Sequence, residues 1–310
     1  MTFQDSVLLP GGEPPSRRIV FAGCHVYGRW LFERLSAARW QFAYVVCPTP
    51  KTAEAEHISG YEDLGEIAAR HNIPVYRPVS YSLRTPKDHE FFEREQFDLL
   101  VQGGWQRLFP EEVLRALRTG AIGVHGSSDF LPKGRGRSPL NWSIIEGRQR
   151  FILHLFLIKP GVDDGDVFDY DIFDITPFDS IETLYQKNAI LTARMLERSI
   201  SHLLDGTLKA IPQHGTPSYY PKRSPDDGLI DWEELDVWQI HNWVRALTRP
   251  YPGAFAVLNG AMTTIWKATV FDTRITYENA SYGEVVEVFD DRLVVNCRGG
   301  LLLVEDWEPR

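Results

Sequence analysis

The residues that could do chemistry are concentrated in two segments, GVHGSSDFLPKGRGRSPLNW (residues 123–142) and GVDDGDV (residues 161–167). His125 ends a short apolar run, and a histidine side chain titrates nearest to neutrality, which suits proton transfer or hydrogen-bond donation. Asp163 lies in an Asp-Asp-Gly turn and could orient or charge that histidine and accept a proton through water. Taken singly, a histidine here is more often structural, and aspartate favours turns for local reasons.

Three basic side chains lie between these two residues in a glycine-containing loop: Lys133, Arg135 and Arg137. Glycines let the loop backbone approach an anion closely, and a guanidinium fork matches phosphate or carboxylate. The alternative interpretation of these three residues is a solvated basic loop.

The flanking sequence predicts an α/β domain that positions both segments. Short apolar runs alternate with helical patterns, which implies βαβ units and a mostly parallel sheet. Strands are predicted over residues 19–22, 42–48, 74–76, 97–103, 120–125, 151–158 and 166–175. An amphipathic helix is predicted after the Gly-containing turn that follows the first strand, and further helices over residues 61–72, 110–120, 138–147 and 180–204. Because ligands of such sheets bind beyond the carboxyl ends of the strands, the loops after Ala22, Gly103 and His125 should converge on the site.

A proline cluster between Lys209 and Pro225 predicts a domain boundary. A helix over residues 237–246 follows, and then alternating apolar runs with Asn-Gly and Gly-Gly near their turns, which predict a small, barrel-like antiparallel β domain. We therefore expect a leader over residues 1–17, a catalytic domain over residues 18–208 and a β domain over residues 209–310.

Composition narrows the classes of function. The 310 residues are 43% hydrophobic and carry a net charge of −9, which fits a globular protein and disfavours nucleic acid as the default partner. Three scattered cysteines form neither a disulfide framework nor a zinc site, and no signal peptide or membrane-spanning run appears, so we expect a cytoplasmic protein. Dinucleotide-binding, serine-hydrolase and Walker motifs are absent, so those enzyme classes find no support.

The sequence resembles the folate-dependent formyltransferase family. HGSSDFLPKGRGRSPLNW and the later GVDDGDV match that family's pattern of roughly Asn-x-His-x-Ser-Leu-Leu-Pro-Lys-x-Arg-Gly and a Leu-Asp-x-Gly loop. YPKRSPDDGLIDW and IHNWVRALTRPYPGAF look very like the formyltransferase module that acts on UDP-4-amino-4-deoxy-L-arabinose, to which the resemblance is closest. The likeness extends from Arg18 onward.

This resemblance implies a Rossmann-like domain followed by an OB-like β-barrel. It implies an N-formyltransferase that moves a formyl group from 10-formyltetrahydrofolate to the amine of a nucleotide-linked amino sugar, without a metal. Lipopolysaccharide or other cell-surface glycan biosynthesis would be the setting; neither nucleic acid nor a membrane is expected as a partner, and a homodimer is left open. The family's catalytic histidine and aspartate fall on His125 and Asp163.

The resemblance also implies binding residues. The folate is expected against residues 102–109 and the loop at residues 161–166, and the substrate's diphosphate at the basic loop. The expected folate-binding residues are Gly104, Trp105, Gln106, Arg107, Val162, Asp164, Gly165 and Asp166. The expected substrate-binding residues are Ser127, Ser128, Lys133, Arg135 and Arg137.

Two departures from the family pattern bear on catalysis. The family asparagine falls on Gly123, and losing one oxyanion donor typically lowers the rate about 100- to 1,000-fold. Between His125 and the Leu-Pro-Lys step this chain has two more residues, and Ser127, Ser128 or a backbone N–H could supply the missing donor. Asn141 matches a different family position and is expected to be structural.

Three other functions stay open. Methionyl-tRNA formyl transfer is one, although a tRNA binder should show an extended basic surface and the carboxyl part has no Lys/Arg-rich run. A catalytically silent relative that binds a nucleotide sugar or folate is another, as Gly123 would permit. An enzyme with a different acyl donor or amine, such as an amino acid, is the third, since loops rather than the fold recognise donor and acceptor.

Overall fold

A computed structural model describes residues 17–38 and 40–310, so the predicted leader lies outside the described residues except for Arg17. The strands in this range are β1 (Ile19–Ala22), β2 (Phe42–Val46), β3 (Val75–Tyr76), β4 (Leu99–Gln102), β5 (Gly120–Ser127), β6 (Arg135–Gly136), β7 (Arg150–Leu157), β8 (Val167–Asp174), β9 (Tyr219–Tyr220), β10 (Ala254–Leu258), β11 (Ala261–Asp272), β12 (Val285–Phe289), β13 (Arg292–Cys297) and β14 (Gly300–Pro309). The α-helices are α1 (Val26–Ala37), α2 (Pro50–Ala55), α3 (Gly65–Arg70), α4 (Pro86–Glu95), α5 (Glu111–Arg115), α6 (Pro139–Ile145), α7 (Ile181–Leu204) and α8 (Val237–Leu247).

The amino-terminal sheet has seven strands in the order β3-β2-β1-β4-β5-β7-β8. The first five are parallel, whereas β7 and β8 pair antiparallel. The prediction of a Rossmann-like, mostly parallel sheet is therefore confirmed. The strand order reverses between β1 and β4, and the crevice beyond the carboxyl ends at such a reversal is where ligands bind.

Local sequence explains the element bounds. β1 is buried along its whole length, as expected for a parallel strand covered on both faces. α7 begins after Ser180, whose hydroxyl and the side chain of Thr183 form a reciprocal capping box. α4 begins after Thr85 with proline at its first position, where the missing N–H costs no helical hydrogen bond. The helices α2 and α4 were not predicted, and α3 and α5 are shorter than predicted.

The carboxyl-terminal domain contains α8 and an antiparallel sheet in the order β10-β11-β14-β13-β12. α8 packs against β11 and also against α6 of the first domain. Within residues 17–38 and 40–310 no ladder joins the edge strands β10 and β12. The antiparallel β domain is present, and its OB-like barrel form stays a prediction.

The proline-rich segment between the domains returns to the basic loop, because β9 pairs with β6 in parallel. The boundary near residue 209 stays a prediction.

Across residues 17–38 and 40–310, none of the helices combines the length and apolar character needed to cross a bilayer.

Candidate active site

A cleft of about 750 Å³ opens at the carboxyl ends of β1, β4 and β5. The loops after these three strands converge there, and α6, α7, the segment between the domains and residues of the carboxyl-terminal domain complete its walls. The charged side chains that line the cleft are five cations and one carboxylate. The cations are Arg84, Arg107, Arg137, Lys222 and Arg223, and the carboxylate is Asp163. The cleft therefore suits an anionic ligand, although the chain as a whole is acidic.

His125 and Asp163 meet in this cleft, with the imidazole Nδ1 3.4 Å from the Asp163 Oδ2. The opposite ring nitrogen, Nε2, lies 2.8 Å from the carbonyl oxygen of Gly134. Because a carbonyl oxygen can only accept, Nε2 carries a proton and donates it to that bond. Nδ1 is then the nitrogen that can gain or lose a proton beside Asp163.

Asp163 is held by its backbone as well as its side chain. Its φ of 49° is left-handed, a conformation that aspartate tolerates in turns. The Gly136 N–H donates to Oδ2 at 2.9 Å. The Gln213 amide donates to the carbonyl oxygens of Asp163 and Gly165, both at 2.8 Å, and its own oxygen accepts from Arg135. The segment between the domains thus fixes the orientation of the carboxylate.

Gly123 lies on β5 directly opposite Phe156 of β7. A Cβ at this position would come 2.5 Å from the Phe156 Cζ and 2.9 Å from the Ile158 Cγ1. The Phe156 ring therefore fills the space that an asparagine side chain would need. In this chain the amide of the family pattern cannot enter from residue 123 without a rearrangement of β7.

Another amide does reach this region. Gln102 ends β4 directly after Val101, which pairs with Ile122 of β5. Its Oε1 accepts the N–H of Val124 at 3.2 Å, and its Nε2 donates to the Trp105 carbonyl at 2.8 Å. An amide nitrogen carries two protons, so one remains for a ligand in the cleft. Gln102 lies in the segment expected to contact folate but was not predicted as a site residue; its polar side chain at the end of an apolar strand was the available signal.

Five of the residues predicted to bind folate line the cleft, and three do not. Those that line it are Gly104, Trp105, Gln106, Arg107 and Val162. Asp164, Gly165 and Asp166 lie outside it, and Asp166 pairs with Lys159 at 2.7 Å. The buried Trp105 Nε1 has no hydrogen-bond partner among the described residues, although its ring stacks on Phe109. A donor without a partner in a cleft wall fits an aromatic ligand with polar edges.

Of the residues predicted to bind the substrate, only Arg137 lines the cleft. Ser127 is 1% exposed, and its hydroxyl bonds to the carbonyl oxygens of Asp129 and Lys133. Arg135 is engaged by Gln213. These contacts stabilise the loop that carries the accepting carbonyl of Gly134. The remaining predicted residues outside the cleft lining are Ser128, which is buried, and Lys133, which is exposed.

A polar cluster between α1, α7 and the carboxyl-terminal domain also lines the cleft and was not predicted. Burial lowers the pKa of His25 to about 4, so this imidazole is neutral near pH 7. The Tyr185 and Tyr251 hydroxyls hydrogen-bond each other across the domain interface. Asn141 links α6 to α8 by donating to the Ala246 carbonyl at 2.7 Å, a structural contact at the cleft wall. These residues are far apart in the sequence, so no local pattern indicated that they form a cluster.

Both halves of the chain match domains of one known protein family. Residues 18–200 match the formyl transferase family, and residues 222–310 match the formyl transferase carboxyl-terminal domain. A methionyl-tRNA formyltransferase of Ruminiclostridium cellulolyticum is 33% identical over 242 residues, covering 78% of this chain and 75% of the relative. The bifunctional polymyxin resistance protein ArnA of Wigglesworthia glossinidia brevipalpis is 29% identical over 239 residues, covering 77% of this chain and 35% of that protein.

Solved structures share the fold. An N-formyltransferase of Helicobacter canadensis, solved with folinic acid and dTDP-3-aminofucose, has a TM-score of 0.67 at 18% identity and covers 94% of this chain and all of its own. HypX of Aquifex aeolicus, solved with tetrahydrofolic acid, has a TM-score of 0.67 at 20% identity and covers 94% of this chain; the present chain spans 44% of HypX. At these identities the likeness shows the fold alone.

Formyl transferases are enzymes that take the formyl group from 10-formyltetrahydrofolate, so membership of the family gives the class of reaction. Within the described ranges 17–38 and 40–310 no cluster of three or more potential metal ligands occurs. The matched residues cover both domains, and the paired imidazole and carboxylate lie in a cationic cleft at the strand ends. The chain belongs to the formyl transferase family.

Proposed function

We propose that this protein transfers a formyl group from 10-formyltetrahydrofolate to the amine of a nucleotide-linked amino sugar. The observation that carries the proposal is the pair formed by His125 and Asp163, which opens into a cleft with five cationic side chains and one carboxylate. An amine acceptor needs a proton acceptor near the formyl carbon, and a nucleotide diphosphate needs cationic donors a short distance away. Both are present in one cavity.

The reaction forms one C–N bond and breaks another. The neutral amine attacks the formyl carbon, and its proton passes to His125 Nδ1 with Asp163 stabilising the imidazolium. Since Nε2–H is engaged by Gly134, the donor that Nδ1–H then provides is the one available to the oxyanion or to the departing folate nitrogen. Collapse of the tetrahedral intermediate breaks the bond from the formyl carbon to that nitrogen, which receives the proton.

The Gln102 amide supplies a second, neutral donor to the oxyanion. Residue 123 has no side chain, and the Ser127 hydroxyl is bonded within its own loop. Gln102 is anchored at both its oxygen and one amide proton, so its free N–H has a fixed direction at no further entropic cost.

The folate binds along the residues of the β4 loop that line the cleft. Trp105 offers an unpartnered N–H to a pterin edge, and Arg84 and Arg107 suit the carboxylates of the folate tail. Val162 covers the ring from the loop that carries Asp163.

Methionyl-tRNA formyl transfer is the second candidate, favoured by the 33% identical relative that bears this name. Charge argues against it. The carboxyl-terminal part, residues 222–310, contains nine Lys and Arg against fifteen Asp and Glu, a net charge of −6. A surface that neutralises many tRNA phosphates needs the opposite sign. The cationic groups of the cleft are instead confined to one cavity.

A competition between acceptors tests the proposal. Purified protein and 10-formyltetrahydrofolate are incubated with a panel of nucleoside-diphosphate amino sugars and, separately, with methionyl-tRNA, and formamide products are identified by mass spectrometry. We expect turnover of at least one amino sugar and none of tRNA. Formylation of tRNA alone establishes the second candidate, and binding without any turnover establishes a silent relative.

A further inference from the structure

Arg223 lies in the segment between the domains and lines the same cleft as His125. Its guanidinium carbon is 5.7 Å from the ring centroid of Trp142 on α6 and 5.7 Å from that of Trp243 on α8. Because the two tryptophans lie in different domains, both domains are needed to clamp the guanidinium between the two rings. Trp142 is itself fixed, because its Nε1 donates to the Pro221 carbonyl and its ring stacks on Tyr220.

Among the described residues, the clamped guanidinium has no polar partner at two of its nitrogens. Its Nε and Nη1 are buried and have no hydrogen-bond partner within residues 17–38 and 40–310, and no carboxylate of that range forms an ion pair with it. The nearby Asp227 carboxylate is engaged by the N–H and hydroxyl of Ser224. Burial lowers the pKa of Arg223, yet an arginine keeps its charge at any physiological pH.

A structural role does not explain this arrangement. Stacking on two tryptophans contributes some stabilisation, but a buried N–H without an acceptor is destabilising, and more so when it is charged. A methionine or leucine would fill the same space between the rings without that penalty. Arg223 is partly exposed and lines the cleft, so its charge favours an anionic ligand there.

We propose that Arg223, assisted by Lys222 and Arg137 on the same walls, binds the phosphate groups of the amine-bearing substrate. The inference rests on the proposed function and names the part of the acceptor that the site recognises, an organic diphosphate. A guanidinium whose plane is set by two rings can present two parallel N–H groups to one phosphate with little loss of side-chain freedom. Through its contact with Arg223, Trp243 gives the carboxyl-terminal domain an indirect part in substrate binding.

The test compares Arg223→Met with Arg249→Met. Arg249 also lies over a tryptophan, 4.2 Å from the Trp266 centroid, but it pairs with Asp306 at 3.0 Å and does not line the cleft. Calorimetry measures the binding of UDP, dTDP and GDP, of the matching nucleosides and of tetrahydrofolate. Loss of a charged hydrogen bond should weaken diphosphate binding about 10- to 100-fold in Arg223→Met only. Nucleoside and folate binding should not change.

Stability separates this role from a structural clamp. Arg223 is partly exposed and forms no ion pair among the described residues, so the melting temperature of Arg223→Met should be equal to or above that of the unmodified protein. A structural clamp predicts instead a lower melting temperature with unchanged diphosphate affinity. That second outcome, or absence of diphosphate binding to the unmodified protein, overturns the inference. Arg223→Lys should recover part of the affinity, since it restores the charge without the fork.

The proposed acceptor and the proposed anion site can be refuted independently of each other. Diphosphate binding that depends on Arg223, together with formylation of tRNA rather than any amino sugar, refutes the proposed acceptor and keeps the anion site. Formylation of an amino sugar with a KM that Arg223→Met does not raise refutes the anion site and keeps the acceptor.

Discussion

Replacing Gly123 by asparagine restores the amide of the family pattern, yet the structure indicates that activity should fall. The new Cβ would lie 2.5 Å from the Phe156 Cζ and 2.9 Å from the Ile158 Cγ1, whereas carbon atoms pack at about 3.5–4.0 Å. Phe156 is 4% exposed, and its strand β7 pairs with β5 on one side and β8 on the other, so the ring lies in a packed environment. Either β7 or β5, the strand that carries His125, must therefore shift.

The magnitude follows from this overlap of about 1 Å or more. Overpacking a filled core typically costs about 1–3 kcal/mol. For a domain of roughly 150–250 residues each kcal/mol corresponds to about 2–4 °C, so we expect the melting temperature of Gly123→Asn to fall by about 2–12 °C. A displacement of His125 relative to the substrate on the order of 1 Å lowers kcat about 100-fold.

A double-mutant cycle isolates the cause. Phe156→Ala alone should lose about 3–5 kcal/mol because it leaves a cavity. In Gly123→Asn/Phe156→Ala the amide occupies that cavity, and the combined loss should be smaller than the sum of the single losses. Urea unfolding and the formyl-transfer rate are measured on all four proteins. Gly123→Asn with an unchanged unfolding free energy and a raised kcat would refute the packing argument.

Three further predictions concern the site and its surroundings. His125→Ala and Asp163→Asn should each lower kcat by about 100-fold or more while the protein remains folded, and near-normal turnover contradicts the assigned role. Gln102→Leu should lower kcat about 100- to 1,000-fold while KM changes little; a normal kcat excludes its amide as an oxyanion donor. Burial lowers the pKa of His154 to about 4, so the unfolded chain is protonated first and stability should fall between about pH 6.5 and pH 4. His154→Leu should reduce that loss in urea titrations, and an equally steep loss contradicts it.

Local sequence was sufficient for the scaffold of the site. The buried runs that form β1, β2, β4 and β5 are short and apolar, and a parallel strand covered on both faces needs little else to be recognised. The resemblance of the glycine-containing loop and the Asp-Asp-Gly turn to one family predicted that His125 and Asp163 act together, and the structure places the two side chains 3.4 Å apart. The helices α2 and α4 were missed because their sequences, PKTAEA and PKDHEFFERE, contain few apolar residues to mark a helical period.

The tertiary structure decided which side chains face the ligand. Whether residue 123 can carry an amide depends on the register between β5 and β7, which places Phe156 opposite it. Arg135 does not line the cleft, because its guanidinium donates a hydrogen bond to Gln213 Oε1, in the segment between the domains. Arg223 acquires its environment from two tryptophans on different domains. These contacts join residues far apart in the chain, and no local pattern encodes a contact whose partner is supplied only by folding.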